Sequence, residues 1–388
     1  MRILICNYEY PPLGGGGGVV TALLAQELTK RHEVTVLTSQ GLGLPADSVE
    51  EGVRVVRAPV FFRKQKASAN VPSMLAFIPM GIRLGKRLLK EEKFDVINTH
   101  FALPSGPVGD ALARFAGIPN VLSVHGGDLY DPSKFTSPHR HPLLRWWIKR
   151  LAHRADAVVG QSSNTIDNLR NYFTSDVSPE RIPLGINKPE VAPSSRSKYG
   201  FRDDEVILTT LGRLVSRKAN EQLISMLAAL KNEALRLVIM GSGPQEEFLR
   251  EEARRLDVSN QVSFMGFIGE TEKFELLEMS DIYVSTSQHE GFGLVFLEAM
   301  HCGLPIVCYD HGGQTDFLRD DETGFVVKLN DEAAFIERLR QLIDNRELRS
   351  KLGDYNRHAV NDYYIDNCAR SYEEVFENVV GSMIPQSI

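Results

Sequence analysis

Two glutamates near the C-terminal end of the chain form its most informative motif. Glu290 is followed by Gly-Phe-Gly-Leu, and Glu298 comes eight positions after it. An ionised carboxylate only accepts hydrogen bonds, so it can receive both protons of a vicinal diol, the group that ribose and hexoses offer. A helix that opens after glycines presents free N–H groups to hydroxyls or phosphate. The motif predicts a sugar-binding site; two glutamates without function are the alternative.

A second candidate site contains two cations five positions apart, Arg213 and Lys218. They follow an apolar run that begins at Leu208, and a helix-like stretch from Asn220 to Leu230 comes next. Both charges could converge on one anion, with Arg as a planar fork and Lys as a point charge. Such a pair suits a diphosphate leaving group, whose negative charge grows as its bond breaks. Solvated loop cations are the alternative.

Five consecutive glycines, Gly14 to Gly18, follow the predicted strand Arg2 to Cys6 and open a predicted helix, Val19 to Lys30. Glycines let backbone N–H groups approach an anion closely. A nicotinamide-binding turn would place its glycines directly after the strand, and a P-loop would continue with Lys-Ser or Lys-Thr. Neither pattern fits, which leaves another anion-binding loop or a loop without a ligand.

Two histidines come at the ends of predicted strands. The strand Val121 to Val124 precedes His125, and the strand Phe94 to Thr99 precedes His100. Ligands of open parallel sheets bind beyond the carboxyl ends of the strands, so His125 is a candidate contact, although a lone histidine is often structural. For His100, a strand-capping role is favoured over lining an acceptor cleft.

The elements that must position these residues alternate between strand and helix, which indicates an α/β protein with parallel sheets. A proline- and serine-rich segment, residues 183–197, divides them into two series. In the second series, Glu290 falls between a buried strand, Asp281 to Ser285, and a helix, Leu294 to Cys302. A final amphipathic stretch, Tyr363 to Val380, predicts one or two helices.

These blocks together resemble the retaining glycosyltransferases of family four (glycosyl transferases group 1). That family has the GT-B fold, in which two Rossmann-like domains with parallel sheets face each other across a ligand cleft. The resemblance covers the chain and implies three parts: an acceptor-side domain (1–187), a nucleotide-sugar-binding domain (188–362) and a C-terminal helix that crosses back to the first domain (363–388). Domain closure around the donor would then be expected.

The resemblance implies a hexosyltransferase that moves a hexosyl unit from a UDP- or GDP-sugar to an acceptor hydroxyl. Polysaccharide, lipopolysaccharide or glycolipid synthesis is the expected setting. Arg213 and Lys218 would bind the diphosphate. Glu290 would lie by the hexose, and Glu298 would hold the ribose.

In the same family, a histidine at the position of His125 commonly contacts the sugar near its reacting carbon. The expected backbone contacts to the donor are Gly15, Gly16, Gly17, Gly291, Phe292, Gly293 and Leu294. The family usually has glycine after the diphosphate lysine, where this chain has Ala219. Its accepted mechanism is a front-face attack, so no protein nucleophile is assigned.

Composition adds expectations about partners and compartment. The net charge is −6, yet residues 1–187 carry more Lys and Arg than Asp and Glu. Basic stretches at 80–90 and 141–154, the second with both tryptophans, suggest peripheral membrane contact, although helices that flank a sheet can look the same.

No signal-peptide pattern is evident, and four scattered cysteines suggest buried thiols, so a cytoplasmic location is expected. No Asp-x-Asp occurs, so no metal or other cofactor is expected; nucleic-acid binding is disfavoured.

Two other classes of function stay open. A nucleotide-sugar epimerase has a similar two-domain fold and would convert the donor without an acceptor. A sugar-nucleotide binding module without catalysis would keep the binding residues only. The sequence does not choose the nucleotide, the hexose or the acceptor.

Overall fold

A computed structural model describes residues 1–41, 43–61, 63, 70–189 and 195–383. The chain forms two compact units: Met1–Asn187 together with the C-terminal stretch from Tyr364, and Lys188–Tyr363. Each unit contains one sheet whose strands are mostly parallel and are connected through helices. The α/β fold expected from the sequence is therefore confirmed.

The described residues of the first unit form eight strands and, before the chain leaves it, five α-helices. The strands are β1 (Arg2–Cys6), β2 (Glu33–Gln40), β3 (Asp47–Glu50), β4 (Val53–Pro59), β5 (Val96–His100), β6 (Asn120–Val124), β7 (Ala157–Gly160) and β8 (Glu180–Arg181). The helices are α1 (Gly16–Leu28), α2 (Val71–Glu91), α3 (Ser105–Ala116), α4 (Pro142–Arg154) and α5 (Ser163–Tyr172).

The strand order of this sheet is β3-β4-β2-β1-β5-β6-β7-β8, and only β3 runs antiparallel to its neighbour. Strands β1, β5 and β6 are buried along their length apart from Arg2, as expected for strands covered by helices on both faces, although β5 ends in the polar residues Asn98, Thr99 and His100. The chain extends from β1 to β2 on one side and later returns to β5 on the other. The sheet therefore has a topological switch point between β1 and β5.

In the second unit, the part of the chain that the structure describes forms six parallel strands in the order β11-β10-β9-β12-β13-β14. The strands are β9 (Val206–Leu211), β10 (Leu235–Met240), β11 (Val262–Gly266), β12 (Ile282–Ser285), β13 (Ile306–Tyr309) and β14 (Gly324–Val327). The helices are α6 (Asn220–Leu230), α7 (Glu246–Arg255), α8 (Glu270–Glu278), α9 (Leu294–His301), α10 (Glu332–Asp344) and α11 (Arg346–Ala359). The switch point of this sheet lies between β9 and β12.

The last helix, α12 (Ile365–Met383), is one continuous helix that packs in the first unit. Its buried side chains recur every three or four residues, so a single face covers β1, β5 and α1. Tyr372 donates a hydrogen bond to Ser123 Oγ at 3.0 Å, and Glu373 pairs with Arg31 at 2.7 Å. These contacts fix the register of α12 on the sheet.

The cores are apolar, and the cysteines belong to them. Cys6, Cys302, Cys308 and Cys368 are buried, and none forms a disulfide, as the sequence predicted. Burial raises the pKa of the Cys6 thiol to about 12, which keeps it protonated and unreactive at neutral pH. Across the described part of the chain, every helix is too short or too polar to span a bilayer.

Candidate active site

The candidate residues of the second unit gather around its switch point. Lys218 follows β9, and Glu290 follows β12, so both lie beyond the carboxyl ends of the two strands that flank the switch point. Parallel sheets form their ligand crevices at this place, because the connections on either side diverge. The structure thereby brings together two residues that are separated by 72 positions in the sequence.

The turn from β9 to α6 carries the cations. Gly212, with φ +149°, ends the strand, and a 3₁₀ turn over Ser216–Lys218 leads to Ala219. Ala219 is buried and has φ +45° and ψ +38°, a left-handed conformation that favours glycine. The geometry explains why glycine is usual at this position in family four, and why this chain tolerates alanine only with strain.

We expect Ala219→Gly to stabilise the second unit by about 1 kcal/mol, because it removes this strain from the native state. The expected rise in unfolding temperature is about 2–4 °C for a unit of this size. Differential scanning calorimetry would measure it. Ala228→Gly, in the interior of α6, is the matched control and should be destabilising by about 1 kcal/mol. A loss of stability in both variants would contradict the strain argument.

Glu290 is a buried carboxylate with two cations against it. Lys218 Nζ forms an ion pair with Oε1, Arg217 Nη1 lies 3.4 Å from Oε2, and Ser287 Oγ donates to Oε1 at 2.7 Å. Burial alone would raise the pKa of Glu290, but Lys218 and Arg217 outweigh it and lower the pKa to about 2. Glu290 is therefore ionised at every working pH, a state in which it accepts hydrogen bonds from hydroxyl groups.

Glu298 lies in α9 and pairs with a lysine that sequence analysis missed. Lys273 Nζ is 2.7 Å from Glu298 Oε1 and 2.8 Å from Glu270 Oε1. Burial raises the pKa of Glu298, and Lys273 opposes this only in part. Lys273 is itself buried, yet the two carboxylates raise its pKa. A buried lysine therefore holds Glu298 in place.

The segment between the two glutamates has the conformation expected of a helix start. Phe292 is buried, Gly293 has φ +97°, and α9 begins at Leu294. A Cβ atom at Gly293 would come within 2.5 Å of the Phe296 ring, so only glycine fits there. The backbone from Gly291 to Leu294 thus turns tightly next to Glu290.

Arg213 differs from Lys218 in its surroundings. Its side chain is exposed, and it forms no side-chain hydrogen bond or ion pair with any residue that the structure describes. The two predicted cations, Arg213 and Lys218, therefore do not contact a common side chain of the protein. Arg217 contacts Glu290 instead, although its sequence position next to Lys218 gave no reason to select it.

In the first unit, the glycine-rich segment lies at the switch point, after β1. Helix α1 begins at Gly16, three residues before the predicted start, so two of the candidate glycines lie in its first turn. A Cβ atom at Gly17 would come within 2.2 Å of Phe101, which explains the glycine. The Gly15 N–H donates to Glu9 Oε2 at 3.0 Å. One of the backbone amides expected to bind an anion is therefore already hydrogen-bonded to a carboxylate of the protein.

His125 follows β6 and is buried. Its Nε2 lies 2.9 Å from His100 Nδ1, and its Nδ1 lies 3.2 Å from Gln161 Oε1. Its backbone N–H donates to Asp128 Oδ1 at 2.9 Å, which orients the turn after the strand. Burial lowers the pKa of His125 to about 4, with a small opposing effect of Gln161, so the ring is neutral at neutral pH.

His100 lies at a strand end, as predicted, whereas its strand-capping role stays a prediction. His100 is the last residue of β5, fully buried, and its ring bonds the side chains of Asn98 and His125 instead of free backbone groups. Gln161 was missed, although it directly follows β7, and the strand-end rule that selected His125 applies to it equally. Asn98 lies within β5, where sequence gives no signal.

No group of three or more His, Cys, Asp and Glu side chains is placed to hold a metal ion within the described ranges. Glu290 and Glu298 instead form ion pairs with Lys218, Arg217 and Lys273.

Two family models match the chain. Residues 14–188 match the model described as "Glycosyltransferase Family 4", and residues 191–359 match "Glycosyl transferases group 1". The two matches correspond to the two units and include every site residue predicted from the sequence.

Individual relatives agree. The chain is 31% identical to a Bacillus subtilis (strain 168) protein named as the glycosyltransferase EpsD, over 70% of this chain and 73% of the relative. It is 28% identical to a GDP-mannose-dependent alpha-(1-6)-phosphatidylinositol monomannoside mannosyltransferase of Mycolicibacterium smegmatis (strain ATCC 700084 / mc(2)155), over 92% and 93% of the two chains.

Among solved structures, Anabaena HepE in complex with UDP-glucose superposes with a TM-score of 0.78 at 19% identity, over 97% of this chain and all of that one. This likeness shows a shared fold. Together with the family models and the relatives, it confirms the resemblance on which the predicted fold and enzyme class were based. The chain is a glycosyltransferase with the GT-B fold and belongs to glycosyltransferase family four.

Proposed function

We propose that this enzyme is a retaining hexosyltransferase that uses a UDP- or GDP-hexose as donor. The observation that carries the proposal is the ion pair of Lys218 and Glu290 at the switch point of the second unit. It provides a fixed cation for a diphosphate and a permanently ionised carboxylate for sugar hydroxyls at one place. The relative that uses GDP-mannose and the neighbour that binds UDP-glucose support this donor class.

In the proposed reaction, the bond between the anomeric carbon and the diphosphate oxygen breaks while the acceptor oxygen attacks the same face of the sugar. The acceptor proton passes to the leaving phosphate. Lys218 and Arg213 stabilise the charge that develops on the diphosphate, which is why no metal is needed in this proposal. Glu290 orients the hexose, and His125 contacts it near the reacting carbon.

The remaining donor contacts follow from the same proposal. Glu298, held by Lys273, accepts hydrogen bonds from the ribose hydroxyls. The backbone from Gly291 to Leu294 contacts the hexose or the phosphates at the start of α9. Gly15, Gly16 and Gly17 contact the diphosphate, and the Gly15 amide must exchange Glu9 for the ligand.

A panel of UDP-, GDP- and ADP-sugars tests the donor class. We expect one nucleotide class to raise the unfolding temperature, because a ligand at about 100 times its Kd stabilises by about 2.7 kcal/mol. The same class should be hydrolysed slowly, EDTA should not change the rate, and transfer to an acceptor should keep the anomeric configuration in the NMR spectrum of the product. Epimerised donor without acceptor would indicate an epimerase, and binding without any turnover would indicate a binding module.

For the acceptor, we propose a lipid-linked or polysaccharide substrate at a membrane surface. Helix α4 exposes Leu143 and Trp146, by 72% and 59%, beside Arg145 and Lys149. Apolar side chains among cations are typical of helices that lie in the headgroup region. The stretch 80–90 lies in α2, where one side packs on α3 and the exposed side is basic.

We expect the protein to co-sediment with vesicles that contain anionic lipid, and less so as salt is raised. Trp146→Ala should weaken this binding several-fold, because a large ring leaves the interface. Phe248→Ala is the matched control, since Phe248 is an exposed aromatic residue on α7 of the second unit, a helix without an excess of cations. Equal binding of all three proteins would rule out α4 as the contact.

A further inference from the structure

The side chains of Asn98, His100, His125 and Gln161 form a continuous row of close polar contacts in the first unit. His100 Nδ1 and His125 Nε2 are 2.9 Å apart. The outer nitrogens face two amide oxygens: His100 Nε2 lies 2.6 Å from Asn98 Oδ1, and His125 Nδ1 lies 3.2 Å from Gln161 Oε1. All four side chains are buried, and each ring nitrogen faces a polar atom of another of them.

Backbone carbonyls fix the orientation of both amides. Asn98 Nδ2 donates to the Val121 carbonyl at 3.2 Å, and Gln161 Nε2 donates to the His125 carbonyl. A carbonyl only accepts hydrogen bonds, so neither amide can be turned over without placing two acceptors against each other. Both ends of the histidine chain are therefore acceptors.

The two neutral rings carry too few protons for the contacts that they make. Three contacts between two fixed acceptors need three N–H groups, whereas two neutral imidazoles carry one each. The short contact to Asn98 takes the proton on His100 Nε2, and the contact between the rings takes the proton on His125 Nε2. The lone pair of His125 Nδ1 then faces Gln161 Oε1, which agrees with this contact being the longest of the three.

The neutral pair is thus one hydrogen bond short, and burial is what keeps it neutral. Burial, and for His100 also the charge of a protonated His125, lowers the pKa of both rings. Two other titratable groups face the pair. Asp128 bonds the backbone of His125, and burial raises its pKa to about 6; Tyr372 lies against His100, and burial raises its pKa as well.

We propose that binding of the anionic donor drives the uptake of one solvent proton by the His100–His125 pair. This inference rests on the proposed function, which places the donor against His125. The proton binds the lone pair of His125 Nδ1, and the new N–H donates to Gln161 Oε1, which completes the chain. An opposite charge within about 4–6 Å raises the pKa of a base by about 1–3 units, which is enough to offset much of the burial effect.

The protonated pair is a fixed positive charge beside the departing diphosphate. His100 and Gln161 act through His125, so they are positioning residues: His100 sets the tautomer, and Gln161 supplies the acceptor that makes the protonated state favourable. An apolar residue in place of Gln161 should leave His125 in position, but it removes the acceptor that makes the protonated state of His125 favourable.

Isothermal titration calorimetry with UDP-glucose and GDP-mannose in buffers of different ionisation enthalpy measures this uptake. The diphosphate of a nucleotide sugar does not titrate near neutral pH, so any proton taken up binds the protein. We expect uptake to rise toward one proton per donor as pH falls from about 7 to about 5, and to vanish by about pH 8. Gln161→Leu should abolish the proton uptake. Gln40→Leu is the control and should retain the uptake, because Gln40 lies in β2 and does not contact either histidine.

The outcomes separate this inference from the proposed function. If neither of these two donors binds, the UDP- or GDP-sugar that the panel identifies takes their place; if no UDP- or GDP-sugar binds, the proposed function fails and the inference falls with it. If a donor binds the wild type without proton uptake, or if Gln161→Leu takes up the same amount, the inference is overturned while the donor assignment stands. If Gln161→Leu does not fold, nitrogen NMR of the histidines in the wild type decides: donor binding should convert one neutral ring to an imidazolium, and unchanged rings would overturn the inference.

Discussion

Replacing Lys218 by Met is expected to lower kcat/KM for glycosyl transfer by about 10²–10³-fold, the range found when one stabilising group for developing charge is removed. The proposed cause is loss of the cation that meets the leaving diphosphate. Steady-state kinetics with the donor that the panel identifies would measure it. Lys231→Met is the matched control, because Lys231 is an exposed lysine of the same unit in the turn after α6, and it should keep full activity.

Lys218 also holds Glu290, so a second variant must separate the two roles. If Lys218 matters only as the counter-ion of Glu290, the double variant Lys218→Met, Glu290→Gln removes both charges and should recover activity relative to Lys218→Met alone. We expect no recovery, because the diphosphate still lacks its cation. Recovery to near the wild-type rate would contradict the diphosphate role.

The pH dependence gives an independent readout of the same pair. In the wild type, the pKa of Glu290 is about 2, because Lys218 and Arg217 outweigh the effect of burial, so no acid limb of this group is expected above about pH 4. Without Lys218, burial is less opposed and the pKa rises. The pH–rate profile of Lys218→Met should therefore gain an acid limb at higher pH, with activity lost as Glu290 is protonated.

The second large effect is expected for Glu298→Gln, which should raise the donor KM by about 10–150-fold. Hydrogen bonds to a charged group contribute about 1.5–3 kcal/mol, and the amide accepts only from one side. The change also leaves Lys273 buried with Glu270 as its remaining carboxylate partner, and the side chain of Glu270 is 81% exposed. Thermal stability should fall as well.

A 2′-deoxyribose donor shows whether the loss comes from the ribose. The wild type should bind this analogue more weakly than the ribose donor, and Glu298→Gln should bind both about equally. Glu270→Gln is the control: it removes the exposed partner of Lys273 and should change KM less than about fivefold, as expected for an exposed ion pair. If Glu298→Gln still discriminates between the two donors, Glu298 does not contact the ribose hydroxyls.

Much of the fold could be predicted, because its signals are local. Strands β6, β9 and β12 are apolar runs bounded by glycine or polar residues, and α6 begins and ends where the sequence indicated. The largest error was at α1, which was expected to begin at Val19. Glycine is a poor helix former, which favoured the later start, but α1 includes Gly16 and Gly17, and a Cβ atom at Gly17 would clash with Phe101.

The ligand chemistry could be predicted before folding was considered: the glutamate motif, the cation pair and the glycine-rich segment each consist of neighbouring residues, and their types and spacing indicate a sugar and a diphosphate. The enzyme class followed from the resemblance of these motifs to family four. The partners of the site residues depend on the tertiary structure. Glu290 pairs with Lys218 and Arg217 while Arg213 stays exposed, Lys273 holds Glu298, and His125 bonds His100 and Gln161. These contacts join residues on different strands and helices, whose side chains meet only because a parallel sheet brings its strand ends to one edge.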